Sequence, residues 1–114
     1  MQMIKTSISI SQLRPLVQAS FGNFVKAVVD VEKSIMVVGG ELHADQEAQL
    51  LEQGSRQENL WGINIYPENS KDTLVEFDSM INIRPRQENR SRDVEDPLIR
   101  EQILEVVYRL IRIE

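Results

Sequence analysis

The sequence predicts a two-layer α+β domain, in which a mainly antiparallel four-stranded sheet carries helices on one face. Segments rich in valine and isoleucine occur in two pairs, and a short connection joins the two members of each pair. Connections of hairpin length imply antiparallel pairing. Helical patterns precede the first pair and follow each pair, and helices packed on a sheet surround one core. The predicted order is therefore α-ββα-ββα.

A first helix is predicted over residues 10–21. Ser9 and Gln12 have the spacing of a capping box, and Gly22 suits the position that ends a helix. Pro15 lies inside this segment and lacks the amide hydrogen that a helix interior uses. A helix is therefore expected here, with its first residue left open.

The first pair of strands is predicted over residues 24–31 and 34–39, because both segments are rich in β-branched residues. Residues 41–45 then lead into a short helix that ends at Gly54. Asp45 is the expected N-cap of this helix, since a short acidic side chain can accept a hydrogen bond from a first-turn amide.

The second pair of strands is predicted over residues 60–66 and 73–84, with a polar turn between them. Pro85 ends the second strand, because proline cannot donate to a sheet. A charged loop over residues 86–95 follows.

A closing helix is the clearest pattern in the chain. Asp96 is its expected N-cap, and Pro97 occupies the first helical position, where proline is favoured. The apolar residues that follow are spaced so that they lie on one face of a helix. They are Ile99, Ile103, Val106, Val107 and Leu110.

Length and composition indicate one globular domain over residues 1–114, with residues 1–9 as an edge strand or an extended arm. The chain has 41% hydrophobic and 27% charged residues, which is ordinary for such a domain. It has no cysteine, which excludes disulfides and thiolate-bound metals, and we predict neither a metal nor a cofactor. Nothing resembles a signal peptide or a membrane span, so we expect a cytoplasmic protein without a membrane partner. The net charge of −5 argues against nucleic acid as a partner.

The segment Glu41-Leu42-His43-Ala44-Asp45 contains the only histidine. Alternate residues of an extended stretch share a face, so His43 could lie between the carboxylates of Glu41 and Asp45. One interpretation makes His43 a general base that a carboxylate orients, and a second makes the segment a ligand or metal site. In the third, Asp45 caps the helix and His43 bonds a nearby carbonyl. These three residues are the catalytic candidates.

A second polar segment covers residues 82–92. It contains Asn82 and four arginines, namely Arg84, Arg86, Arg90 and Arg92. Arginine makes bidentate contacts with phosphate and carboxylate groups, so these five residues are candidates for binding an anion. Four acidic residues also lie within residues 84–96, so ion pairs inside the segment are the alternative.

Trp61 is the single tryptophan and is expected to pack in the core or at its rim. Polar residues on either side of it could border a pocket, so Trp61 is also a candidate for ligand binding. Too few aromatic residues accompany it for a surface on which bases stack.

The two polar segments occupy equivalent places, each between the second strand of a pair and the helix after it. Helix N-termini attract anions through free amides and the helix dipole. If the two halves are related by an approximate two-fold axis, the segments could share one cleft.

Four stretches of the sequence resemble a family of small bacterial proteins that has no assigned function. They are VVDVE at 28–32, GGELHAD at 39–45, QENLWG at 57–62 and FDSMINIRP at 77–85. The resemblance extends over nearly the whole chain and implies a single domain. It implies no set of catalytic residues.

The leading hypothesis is a small binding or interaction protein. Its site would lie between residues 41–45 and 84–92 and would accept an anionic small molecule or an acidic patch of a protein. One alternative is a small hydrolase or nuclease-like enzyme that uses His43. Another is a homo-oligomeric subunit, such as a homodimer, for which an apolar patch including Met80 and Trp61 would be evidence.

Overall fold

The computed structural model describes residues 1–113. Its helices are α1 (Ile10–Ala19), α2 (His43–Glu52) and α3 (Pro97–Leu110). Its strands are β1 (Gln2–Ile4), β2 (Ile8–Ser9), β3 (Val25–Asp30), β4 (Ile35–Val38), β5 (Leu60–Ile65), β6 (Val75–Glu76) and β7 (Ile111–Arg112). Short 3-10 helices lie in the connections. None of the helices within these residues is both long enough and apolar enough to cross a membrane.

Five strands form one antiparallel sheet in the order β1-β4-β3-β5-β6. The α+β class with a mainly antiparallel sheet is therefore confirmed, although the sheet has five strands where four were predicted. The additional strand is β1, an edge strand in which Met3 lies opposite Val37 of β4. Strands β2 and β7 form a separate parallel pair, with Ile8 opposite Ile111.

Helices cover both faces of the sheet, so the prediction of helices on one face, and with it the two-layer arrangement, is wrong. On β3, Val25, Ala27 and Val29 pack into the larger core together with side chains of α1 and α3. The intervening Val28 points to the opposite face, where it packs with Leu50 of α2. The apolar run Ala27-Val28-Val29 within β3 has no polar alternation, which is typical of a strand that is buried on both faces.

The expected capping interactions form at two of the three helix starts. Ser9 and Gln12 form the capping box at the start of α1, and the Asp96 side chain accepts a hydrogen bond from a first-turn amide of α3. The prediction for Asp45 is wrong, because α2 has Leu42 as its N-cap and begins before Asp45. Asp45 lies in the first turn instead, where an acidic side chain interacts favourably with the helix dipole.

The predicted strand over residues 73–84 is wrong beyond its first few residues. Strand β6 contains only two residues, and the chain then leaves the sheet for the 3-10 helix Met80–Asn82. The fully buried side chain of Asn82 hydrogen-bonds both the backbone N–H and the backbone oxygen of Gly62 on β5. A side-chain amide therefore occupies the place that a longer β6 would have taken.

Candidate functional site

A cavity of about 430 Å³ lies on the α2 side of the sheet, next to the first turn of α2. Its volume falls within the range of about 300–1,000 Å³ that is usual for small-molecule sites. We call it the sheet cavity. Its charged and polar lining includes Lys26, His43, Asn64, Glu76, Asp78 and Arg92.

Three of these residues form a row across neighbouring strands. Lys26 of β3 lies opposite Asn64 of β5, and Asn64 lies opposite Glu76 of β6. Residues directly opposite each other in an antiparallel sheet point to the same face, so all three side chains point to the α2 side. We call Lys26, Asn64 and Glu76 the polar row. Two strand spacings separate the backbones at its ends by about 10 Å.

His43 is the first residue of α2, and only 6% of its surface is exposed. Its Nε2 donates a hydrogen bond of 2.7 Å to the carbonyl oxygen of Ile63, which leaves Nδ1 as an acceptor. Burial lowers the pKa of His43 from 6.5 to about 4, and the hydrogen bond to Ile63 opposes this only in part. The charge of Lys26 lowers the pKa of His43 further, while Asp78 raises it and Arg92 lowers it by smaller amounts. The ring is therefore neutral at pH 7.

The four charged residues of the cavity differ in how they are paired. Arg92 and Asp78 form an ion pair, with 2.7 Å between Nε and Oδ1. Within residues 1–113 neither Lys26 nor Glu76 forms an ion pair. The Lys26 ammonium lies 5.5 Å from the ring centroid of Phe21, which is a cation–π distance.

Neutral donors hold the Glu76 carboxylate in place. Its Oε1 accepts hydrogen bonds from Asn64 Nδ2 at 2.8 Å and from the Tyr66 hydroxyl at 3.1 Å. Burial, followed by the hydrogen bond to Glu76, raises the pKa of Tyr66, so this hydroxyl keeps its proton at neutral pH. Asn64 Oδ1 is buried and has no partner among the described residues. An unpaired buried acceptor costs about 1–3 kcal/mol, so stability alone does not account for the polar row.

Apolar side chains supply a further part of the cavity wall. They are Phe24, Leu42, Met80 and Ile81, joined by the methyl group of Ala44. Phe24 stacks on Phe21, with 4.7 Å between the ring centroids, and its centroid also lies 5.2 Å from that of Tyr66. The cavity therefore combines charged groups along the sheet with an apolar surface.

Each of the two predicted polar segments contributes to this cavity through one polar residue, His43 from the first and Arg92 from the second. Glu41 and Asp45, the predicted partners of His43, are both exposed. Neither hydrogen-bonds to the His43 ring, whose orientation is set by the backbone of Ile63. Among residues 1–113, no group of three or more His, Cys, Asp or Glu side chains could hold a metal ion.

Arg84 and Trp61 contact each other away from the sheet cavity. The Arg84 guanidinium carbon lies 4.1 Å from the centroid of the buried Trp61 ring. The same guanidinium donates to the carbonyl oxygens of Gln57 and Leu60. Burial lowers the pKa of Arg84, but arginine remains charged in proteins. Arg84 therefore links the backbone at its own position to the backbone at residues 57–60.

The other predicted ligand-binding residues also lie outside the cavity. Asn82 uses its side chain to hold the backbone of Gly62, as described above, and also donates to the carbonyl oxygen of Arg92 at 3.0 Å. Arg86 and Arg90 are exposed, and neither forms an ion pair with another described residue. Of the four arginines in this segment, only Arg92 therefore lines the sheet cavity.

Sequence reasoning missed the polar row and Asp78. A lysine in the apolar strand β3 and an asparagine in the middle of β5 are local clues to a polar function. No local pattern shows that these residues face each other, because that depends on the register between strands far apart in the sequence.

A family model described as "Protein of unknown function (DUF5674)" matches residues 2–110. No curated protein and no solved structure matches the chain.

Proposed function

We propose, from the geometry of the sheet cavity, that the chain binds a small molecule with an anionic group there. The chain belongs to the DUF5674 family, whose function is unknown. The observation that carries this proposal is the ammonium of Lys26, a half-buried cation that lines the cavity without an ion pair among residues 1–113. An anion of the ligand would supply the missing countercharge.

Two further features favour an anion at the same place. The first turn of α2 borders the cavity through Leu42, His43 and Ala44. The first amides of a helix have no partners within the helix, and the dipole there favours negative charge. Arg92 adds a second cation at the cavity wall, partly offset by its ion pair with Asp78.

The same geometry favours binding over catalysis by His43. A histidine with a pKa of about 4 is a weak base at neutral pH. Its ring is oriented by a backbone carbonyl, whereas the enzyme hypothesis relied on Glu41 or Asp45.

Titration of the ¹⁵N-labelled protein with 3-phenylpropanoate, followed by NMR, tests the proposal. We expect saturable shifts at the amides of Leu42, His43 and Ala44, and a loss of affinity of about five- to tenfold in Lys26→Gln. The matched control is Lys5→Gln, which removes one positive charge at an exposed position outside the cavity. Equal binding by Lys26→Gln and Lys5→Gln would reject the cavity as the anion site.

The homo-oligomer alternative, the cytoplasmic location and the bacterial origin stay predictions. Trp61 is buried and cannot contribute to an exposed apolar patch, whereas Met80 is 66% exposed. Size-exclusion chromatography of the wild type and of Met80→Lys would test whether Met80 lies in a contact between copies of the chain.

A further inference from the structure

We propose that the ligand is a small zwitterion of the amino-acid type, whose ammonium group binds Glu76 while its carboxylate binds Lys26. This inference rests on the proposed function, because it adds a second charged contact to the anion contact at Lys26. The charge pairing in the cavity, the geometry of the polar row and the apolar wall support it.

The charge pairing leaves one positive and one negative group for a ligand. Of the four charged side chains at the sheet cavity, Arg92 and Asp78 neutralise each other at 2.7 Å. Lys26 and Glu76 lie more than 4 Å from each other and from every other partner of opposite charge among residues 1–113, since neither forms an ion pair there. A purely anionic ligand would use Lys26 alone and leave the exposed carboxylate of Glu76 to water. A zwitterion satisfies both.

Glu76 is oriented for this role before any ligand binds. Its Oε1 takes both hydrogen bonds, from Asn64 and Tyr66, and no described residue donates to its Oε2. Both donors are neutral, so they position the carboxylate without cancelling its charge. A positioned carboxylate with a free oxygen is a suitable acceptor for an ammonium group.

The polar row places its two charged residues within reach of one small ligand. Lys26 and Glu76 lie on either side of Asn64, on strands that are neighbours of the same strand β5. Their side chains point to the same face of the sheet, and their backbones are separated by two strand spacings, or about 10 Å. A small molecule that lies over Asn64 and carries both an ammonium and a carboxylate can therefore contact both residues.

The apolar wall indicates what the ligand carries besides its charges. Phe24, Leu42, Met80 and Ile81 line the cavity. Burying an apolar side chain against them contributes a favourable free energy of about 25 cal/mol for each Å² of apolar surface removed from water. A second carboxylate on the ligand would be repelled by Glu76. The expected ligand is therefore an amino acid with an apolar or aromatic side chain rather than an acidic one.

Three compounds that differ in one charged group each test the inference by calorimetry or NMR titration. They are L-phenylalanine, 3-phenylpropanoate, which lacks the amine, and 2-phenylethylamine, which lacks the carboxylate. We expect L-phenylalanine to bind about five- to tenfold more tightly than either of the others. L-leucine and 4-methylpentanoate repeat the comparison with an aliphatic side chain.

Two variants separate this inference from the proposed function. Glu76→Gln keeps an oxygen that can accept from Asn64 and Tyr66, so we expect it to bind 3-phenylpropanoate as the wild type does and to lose the preference for L-phenylalanine. Lys26→Gln should weaken the binding of both compounds. Glu101→Gln, an exposed change on α3 outside the cavity, is the matched control and should behave as the wild type does.

Each outcome decides at least one of the two proposals. If 3-phenylpropanoate binds as tightly as L-phenylalanine and Lys26→Gln weakens it, the zwitterion inference is overturned and the anion site stands. If the preference for L-phenylalanine survives in Glu76→Gln, the inference is also overturned, because the ammonium then binds elsewhere. If neither the phenyl nor the aliphatic compounds bind, both proposals fail.

Discussion

The side-chain amide of Asn82 hydrogen-bonds both backbone groups of Gly62, with 2.8 Å to the Gly62 nitrogen and 3.0 Å to its oxygen. Asn82 is fully buried, and its Nδ2 also donates to the carbonyl oxygen of Arg92. One side chain therefore satisfies polar groups on β5 and at the far end of the loop over residues 83–91. This contact explains why the chain leaves the sheet after β6 without exposing an unpaired strand.

We expect Asn82→Ala to destabilise the protein by about 2–4 kcal/mol, because it leaves the buried backbone N–H and oxygen of Gly62 without partners. The free energy of unfolding from urea denaturation measures this. The control is Asn69→Ala, which removes a single exposed hydrogen bond to the carbonyl oxygen of Thr73 and should cost less than about 1 kcal/mol. Equal losses in the two variants would contradict the structural role assigned to Asn82.

Gly62 is required because Ser79 lies directly against it. A Cβ atom at position 62 would lie 2.5 Å from both the Cβ and the Oγ of Ser79. We expect Gly62→Ala to cost about 1–3 kcal/mol through overpacking, measured by the same denaturation experiment. The double variant Gly62→Ala/Ser79→Gly should recover part of that loss relative to Ser79→Gly alone. No recovery would show that the cost comes from the backbone of β5 rather than from this contact.

How much of the fold the sequence predicts depends on the range of the interactions involved. The caps expected at Ser9 and Asp96 form because each depends on contacts within a few residues. The prediction for the face that α2 covers is wrong, because that face depends on a contact between Val28 and Leu50, which are far apart in the sequence. Strand β6 was predicted too long, since the amide of Asn82 competes with a backbone partner that local propensity favours.

Arg84 and Arg86 should differ sharply in their effect on stability, although both belong to the arginine-rich segment. Arg84→Ala removes a guanidinium that stacks on Trp61 and donates to two carbonyl oxygens, so we expect a loss of about 1–3 kcal/mol. Arg86 is exposed, and Arg86→Ala should change stability by less than about 0.5 kcal/mol. Thermal unfolding of both variants is the measurement. An unchanged melting temperature for Arg84→Ala would reject the structural role and reopen the prediction of a ligand contact.

The sequence predicts only part of the candidate site, because the other part depends on the register between strands that are far apart in the sequence. His43 and Arg92 belong to the predicted polar segments and do reach the same cavity. Lys26, Asn64 and Glu76 join this polar lining through the register of three strands. A shift of one residue in that register would move any of them to the opposite face. A local sequence pattern can therefore identify residues with charged or polar side chains. It cannot show that they meet in one cavity.

The titration of His43 can be measured directly, because it is the only histidine and gives a single Hε1 resonance. We expect an apparent pKa of about 4, well below the ordinary 6.5. Burial is the main cause of this depression, and removal of the nearby charge in Lys26→Gln should raise the pKa slightly. A midpoint near 6.5 in the wild type would contradict the buried position of the ring.

The depressed pKa of His43 also predicts a dependence of stability on pH with a definite sign. Above pH 6.5 the ring is neutral in both states and has no effect. Between pH 6.5 and about 4 the unfolded chain binds the proton and the folded chain does not, so the folded state loses stability as the pH falls. The loss levels off below pH 4 and amounts to about 2–4 kcal/mol. His43→Gln keeps a donor for Ile63 and removes the titration, while the carboxylates titrate in both proteins. The free energy of unfolding of the wild type, taken relative to that of His43→Gln, should therefore fall by this amount from pH 7 to pH 4. Parallel curves of unfolding free energy against pH for the two proteins would refute the effect.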